Sequence, residues 1–89
     1  MEAKVVIYTK DGCSRCHFLI NYMRGIGLEF TEINISNNKS GLDFLKTAGI
    51  QGLPYTIVYD KYGRIIDEFS GADVKKATAL KKRLEEDDD

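Results

Sequence analysis

Two cysteines separated by two residues are the part of this chain best suited to chemistry. Cys13 and Cys16 are the only cysteines among the 89 residues. A small disulfide-stabilised secreted domain usually has four or more, spread out to close long loops. A bridge between positions three apart closes so small a loop that it stabilises a fold little. Redox chemistry therefore explains this pair better than a structural role, although a plain structural pair stays open.

Metal binding is the second interpretation of the pair. A structural zinc site needs four ligands, and the chain has one histidine, His17. We predict no metal site, while zinc within one chain and ligation shared across a dimer, including an iron–sulfur cluster, remain alternatives. The run Cys13–His17 also matches the haem-attachment pattern Cys-x-x-Cys-His. Its place in a strand–helix unit argues against haem, and we expect His17 to be an exposed helix residue.

The elements that must position the cysteines follow from the apolar pattern. Short β-branched and aromatic runs predict strands, and apolar residues at helical spacing predict helices, in the order β-α-β-α-β-β-α. The predicted strands are 4–9, 29–34, 55–59 and 64–69, and the predicted helices begin at Cys13 or Ser14, after a cap at Asn37 or Ser40, and after a cap at Asp73.

This order predicts an α/β domain. The second strand follows the first through a helix and so lies parallel to it, whereas the turn at 60–63 makes the last two strands antiparallel neighbours. We therefore predict one mixed four-stranded sheet in the order 2-1-3-4 with helices on both faces. The domain spans residues 1–84, and residues 85–89 form a disordered acidic tail.

Composition limits the partners of this domain. The five acids of residues 85–89 leave only a small positive charge on residues 1–84, without the clustered basic and aromatic residues of a nucleic-acid surface. No stretch approaches the roughly 18 apolar residues of a membrane span, and residues 1–4 run directly into the strand pattern, so we expect no signal peptide. We expect a soluble cytoplasmic monomer that binds neither nucleic acid nor membrane.

The position of the cysteines at a helix start predicts unequal roles. Free N–H groups and the helix dipole stabilise an anion there, so Cys13 is a thiolate more often than an ordinary cysteine. Lys10 and Arg15 add positive charge that favours the thiolate and attracts an anionic substrate, while Asp11 opposes it. Cys16 falls on the buried side of the helix. We predict that Cys13 is the nucleophile and Cys16 the resolving thiol.

The combination of these motifs resembles the thioredoxin superfamily over about residues 4–84. The first half resembles a glutaredoxin, because Val6-Ile7-Tyr8-Thr9-Lys10 followed by Cys13-Ser14-Arg15-Cys16 parallels the strand, Thr-Lys and Cys-Pro-Tyr-Cys of that family. The second half resembles a thioredoxin through Gly49-Ile50-Gln51-Gly52-Leu53-Pro54, Asp60-Lys61-Tyr62-Gly63-Arg64 and Phe69-Ser70-Gly71-Ala72. The chain departs from thioredoxins at Ile7, where they place a buried aspartate.

The resemblance implies a thioredoxin fold and a set of site residues. Pro54 would follow a cis peptide bond and face the cysteines, and the backbone of Leu53 would pair with an extended substrate. Glutathione contacts carry over only in part. The substrate-binding residues implied are Lys10, Arg15, Leu53, Pro54, Gly71, Ala72 and Asp73. Asp73 has a second role as a helix cap, and both roles are compatible.

The predicted function is therefore a small dithiol–disulfide oxidoreductase that reduces protein disulfides or glutathione-mixed disulfides. It needs no bound cofactor, and its electrons come from glutathione as a co-substrate or from a thioredoxin reductase. The size and the first half of the chain slightly favour the glutaredoxin-like interpretation. The alternative is an iron–sulfur-binding protein or a redox-inactive binding module with a thioredoxin fold.

Overall fold

The computed structural model describes residues 3–86, and within them the elements follow the predicted order. The strands are β1 (Lys4–Thr9), β2 (Thr31–Asn34), β3 (Tyr55–Tyr59) and β4 (Ile65–Ser70), and the helices are α1 (Ser14–Gly25), α2 (Lys39–Ala48) and α3 (Val74–Glu86). No helix in this part of the chain is both long and apolar enough to cross a membrane.

The four strands form one mixed sheet in the order β2-β1-β3-β4. β1 pairs in parallel with β2 and antiparallel with β3, and β3 pairs antiparallel with β4. Every residue of β1 after Lys4 is buried, as expected for a nearly continuous apolar strand that is covered on both faces. The predicted sheet, its order and the central place of the first strand are confirmed.

Alternate side chains of β1 enter two separate cores. Val5 and Ile7 belong to a core that includes Leu19 of α1 and Leu80 of α3. Val6 and its neighbours on the opposite face pack with Leu45 of α2. Because successive side chains of a strand point to opposite faces, helices cover both sides of the sheet, and the thioredoxin fold predicted from the sequence is confirmed.

Several predicted boundaries differ from the structure. β2 begins at Thr31 instead of residue 29, because pairing with β1 starts only where Thr31 lies opposite Val6. The cap of α2 is Asn38, neither Asn37 nor Ser40, and its side chain accepts a hydrogen bond from the backbone N–H of Gly41 at 2.8 Å.

β4 begins one residue later than predicted, because Arg64 belongs to the turn. Its carbonyl accepts the N–H of Asp60 at 2.8 Å, and its own N–H donates to the Asp60 carboxylate at 2.9 Å. The N–H of Arg64, followed by that of Tyr62, holds the pKa of Asp60 below its ordinary value. The turn is thus closed by a carboxylate that stays ionised, which explains why the sequence pattern Asp-x-x-Gly forms a hairpin here.

Helix α3 is longer than predicted at its C-terminal end. Asp73 caps it as predicted, accepting the N–H of Lys76 at 3.0 Å. The helix continues through Glu86, two residues past the predicted boundary between domain and tail. Lys81 pairs with Glu85 at 3.5 Å, one helical turn apart, and such a pair favours continued helix. The remainder of the predicted tail, residues 87–89, lies outside the described residues.

Gly41→Ala is expected to destabilise the fold by about 1–2 kcal/mol, since overpacking costs more than the helix propensity that alanine gains. An added Cβ would lie 2.7 Å from Ile33 Cγ2, a branched methyl group that cannot move aside. Gly25→Ala is the matched control, because a Cβ there meets nothing within 4 Å, and we expect a gain of about 0.5 kcal/mol. Urea unfolding measures both, and a Gly41→Ala protein as stable as the wild type would contradict the close approach of α2 and β2.

Candidate active site

The cysteine pair lies where β1 gives way to α1. Gly12 adopts a φ of +71° in the connecting turn, a conformation that favours glycine. Cys13 then takes the extended conformation of an N-cap, and α1 begins at Ser14. Cys13 and Cys16 are joined by a disulfide, with their Cα atoms 5.3 Å apart. Strand end, turn and cap therefore place both sulfurs on the first turn of α1.

The two sulfurs are in different environments. The residue exposure is 8% for Cys13 and 2% for Cys16, so Cys13 is the one nearer to solvent. Cys13 Sγ accepts the backbone N–H of Cys16 at 3.2 Å, and the first turn of α1 contains no acidic residue. A thiolate at Cys13 is stabilised by this N–H and by the positive end of the helix dipole.

A polar network joins the turn before Cys13 to the end of β2. The Asp11 carboxylate accepts the side-chain amide of Asn34 at 2.9 Å, and the Asp11 N–H donates to Ser36 Oγ at 3.0 Å. Ser36 N–H in turn donates to Asn34 Oδ1 at 2.9 Å. The parallel pairing of Thr9 with Asn34 brings these groups together. This network could not be predicted from the sequence, because Asp11 lies 23 positions before Asn34 and 25 before Ser36.

The predicted proline lies at the same end of the sheet. The Leu53–Pro54 peptide bond is cis, as the resemblance implied. Tyr8 pairs with Tyr55 near the ends of β1 and β3, so Pro54 is next to the end of β1 from which the chain continues to the cysteines. Pro54 is buried and Leu53 is half-buried. The register thus brings Leu53 and Pro54 to the end of the sheet at which the cysteines lie.

The segment after β4 lies at this end of the sheet as well. The Gly71 N–H donates to the Pro54 carbonyl at 2.8 Å, and Gly71 has a φ of +82°. Ala72 packs against the core beneath α1 and α3. Asp73 is half-buried, and its Oδ1 is engaged in capping α3. Pro54 and the predicted Gly71–Asp73 segment are therefore held together by a backbone hydrogen bond.

The charged residues predicted around the cysteines are on the surface. Lys10 and Arg15 are exposed, so a ligand in solution can contact them. His17 is also exposed, which confirms the expectation for this residue. Within residues 3–86, no group of three or more His, Cys, Asp or Glu side chains is arranged to hold a metal ion.

Two buried threonines near this end of the sheet were not anticipated. Thr9 donates its hydroxyl hydrogen bond to Glu32 Oε2 at 2.7 Å. Thr56 is completely buried, and its Oγ1 has no hydrogen-bond partner among the described residues. Threonine is common in strands, so the only sequence signal was one threonine in each of two largely apolar and aromatic runs.

Comparison with known proteins agrees with this geometry. The glutaredoxin family model matches residues 5–62. The glutaredoxin-like protein NrdH of Escherichia coli strain K12 is 30% identical over 57 residues, which cover 64% of this chain and 70% of that protein. The solved structure of the E. coli NrdH-redoxin, described as a glutaredoxin-like protein with a thioredoxin-like activity profile, superposes with a TM-score of 0.74 at 26% identity, covering 86% of this chain and 93% of that one.

Thioredoxins share the fold at lower identity. Fasciola hepatica thioredoxin superposes with a TM-score of 0.73 at 20% identity, covering 91% of this chain and 79% of that one. The family match, the thioredoxin fold and the Cys-x-x-Cys pair at the start of α1 identify a thiol–disulfide oxidoreductase. The chain belongs to the glutaredoxin family.

Proposed function

We propose that Cys13 is the nucleophile and Cys16 the resolving thiol of this oxidoreductase. The Cys13 thiolate attacks one sulfur of a substrate disulfide, and the other substrate sulfur leaves as a thiolate that takes up a proton. Cys16 then attacks the mixed disulfide at Cys13 Sγ, which forms the Cys13–Cys16 bond and releases the second substrate thiol. Two electrons pass from the protein to the substrate.

The observation that carries this assignment is the difference between the two sulfurs. Cys13 is the more exposed residue, and its Sγ accepts the Cys16 N–H at 3.2 Å. Cys16 is buried on the side of α1 that faces the sheet. A substrate sulfur therefore reaches Cys13 first, and Cys16 meets only a disulfide that already includes Cys13. A stabilised thiolate on the more accessible cysteine beside a more deeply buried thiol is the arrangement that a dithiol exchange requires.

A substrate strand is proposed to lie along Leu53. This residue precedes β3 and is not among the residues paired with β1 or β4, so its backbone lies outside the sheet ladder. An extended disulfide-containing segment that forms backbone hydrogen bonds with Leu53 would lie next to Cys13, at the end of the central strands. Lys10 and Arg15 are exposed near the same end of the sheet, and their positive charge favours an anionic substrate. The proposed substrates are cytoplasmic proteins with transient disulfides, the kind of disulfide that forms in a reducing compartment.

We infer that the electron donor is a flavin-dependent thioredoxin reductase. The solved E. coli NrdH-redoxin, which covers most of this chain, is described by a thioredoxin-like activity profile. The glutathione contacts of the glutaredoxin resemblance are incomplete here. Arg15 stands in place of the family's tyrosine. Both points support the flavoenzyme over glutathione as the source of electrons.

Two coupled assays of the oxidised protein test the donor. One contains NADPH and thioredoxin reductase, and the other contains NADPH, glutathione and glutathione reductase. We expect rapid NADPH oxidation in the presence of a disulfide substrate only in the first assay. Cys13→Ser protein supplies the blank for both. Rapid turnover in the second assay, with background turnover in the first, would assign the electrons to glutathione and leave the roles of the cysteines untouched.

A further inference from the structure

The Thr56 hydroxyl is a buried polar group that the proposed mechanism does not use. Thr56 is 0% exposed, and its Oγ1 has no hydrogen-bond partner within residues 3–86. Buried hydroxyls are nearly always paired, because an unpaired one loses its hydration without compensation. Thr9 illustrates the usual case, since its buried hydroxyl donates to Glu32 at 2.7 Å. The exception at Thr56 points to a partner that this disulfide-bonded state does not provide.

The strand register places Thr56 in the layer beneath α1 and α3. Thr56 lies opposite Ile7 on β1 and opposite Phe69 on β4. Residues directly opposite one another in neighbouring strands share a face of the sheet. Ile7 and Phe69 both belong to the core formed with α1 and α3. Thr56 therefore faces the same layer as α1.

Cys16 enters this layer at the same end. α1 connects the end of β1 to a parallel β2, so it runs back along the sheet and its first turn covers the carboxyl end of β1. The buried side of α1, which faces the sheet, begins with Cys16. Thr56 is one residue pair in from that end, next to the pairing of Tyr8 with Tyr55. The strand register and the direction of α1 thus place Cys16 and Thr56 at the same end of the sheet and on the same face.

We propose that Thr56 Oγ1 accepts a hydrogen bond from the Cys16 thiol once the disulfide has been reduced. A bonded disulfide sulfur carries no hydrogen to donate, whereas the S–H of a reduced cysteine is a hydrogen-bond donor. The bond stabilises the dithiol relative to the disulfide and holds Cys16 in place for its attack on the mixed disulfide. Thr56 is then a positioning residue that acts through Cys16. The inference rests on the proposed role of Cys16.

The redox equilibrium with glutathione tests this role. Reduced protein gives two electrons and two protons to glutathione disulfide, which yields the protein disulfide and two glutathione molecules. Thr56→Val removes the hydroxyl and keeps the side-chain shape, so the dithiol loses its stabilising bond. We expect the equilibrium constant for oxidation of the protein to rise about tenfold, which makes the reduction potential about 30 mV more negative.

Two further variants serve as controls for that shift. Thr56→Ser keeps the hydroxyl and should restore a potential close to that of the wild type. Thr9→Val removes the other buried hydroxyl, which already has a partner in the oxidised state, and should leave the potential close to the wild-type value. An unchanged potential in Thr56→Val, or an equal shift in Thr9→Val, would overturn the proposal. Thr56→Ala carries the same test if the valine variant does not fold.

Unfolding in each redox state gives an independent measurement. Thr56→Val should stabilise the oxidised form, which loses an unpaired buried hydroxyl, and destabilise the reduced form, which loses a hydrogen bond. Equal changes in both forms indicate a merely structural threonine and contradict the proposal. Wild-type protein that forms no Cys13–Cys16 disulfide on oxidation would contradict the roles of the cysteines themselves, a result distinct from a normal couple that ignores Thr56.

Discussion

Cys13→Ser is expected to reduce disulfide turnover to the background rate. The variant loses the only sulfur of the pair that is close to solvent and that accepts the Cys16 N–H. Serine is a preferred N-cap residue, so the start of α1 is preserved. Loss of the small Cys13–Cys16 loop changes stability little. The missing activity can therefore be assigned to the missing nucleophile, measured as NADPH oxidation in the coupled assay.

Cys16→Ser should give a different outcome. Cys13 still attacks the substrate, but no buried thiol is present to resolve the mixed disulfide, so the protein accumulates in covalent complex with its substrate. Non-reducing gel electrophoresis and mass spectrometry detect this complex. Ser14→Ala, an exposed change in the same helical turn, is the control and should form no such complex.

The pattern of these two variants decides the assignment. Trapping by Cys13→Ser instead of Cys16→Ser would show that the roles are reversed, and full activity in Cys13→Ser would show that Cys13 is not the nucleophile. The wild-type protein should lose about 2 Da on oxidation, the mass of two hydrogen atoms, as its two thiols become one disulfide. A brown dimer would instead indicate the iron–sulfur alternative, in which the cysteines bind a cluster.

Leu19→Ala is expected to lower the free energy of unfolding by about 2–5 kcal/mol. Leu19 is 0% exposed and lies in the core formed by the sheet with α1 and α3. Its removal leaves a cavity whose neighbours in a close-packed layer relax only partly. Because a small domain has only about 5–15 kcal/mol of stability, this single change removes a large part of it.

Phe18→Ala is the matched control for this prediction. Phe18 is the preceding residue of the same helix and has the larger side chain, but it is 57% exposed. Its truncation should change the free energy of unfolding by no more than about 0.5 kcal/mol. Guanidinium unfolding of both variants in the oxidised form compares them. Equal losses would mean that α1 is rotated relative to the sheet.

The local elements of this protein could be predicted because their signals lie close together in the chain. The apolar run of β1, the cysteines three apart at a helix start and the cap at Asp73 each depend on residues within one or two turns. The sheet order followed as well, since a helical crossover and a hairpin leave few possible arrangements. The pairing of Cys13 with a protected Cys16 was therefore readable from the sequence.

Contacts between distant parts of the chain were decided only by the tertiary structure. The network of Asp11, Asn34 and Ser36 exists because β2 pairs in register with β1. The close approach of Gly41 to Ile33 depends on how α2 packs on that strand. The composition of each segment carries no information about the hydrogen-bond distances in this network or about the separation of Gly41 and Ile33.

Thr56 shows this division most clearly. From the sequence alone, Thr56 is expected in a strand and Cys13 at the start of a helix. Whether the hydroxyl meets a partner depends on which groups three strands and two helices bring to one closed layer. That outcome is set by register and packing between segments, so only the tertiary structure revealed an unpaired hydroxyl in the layer that holds the buried cysteine.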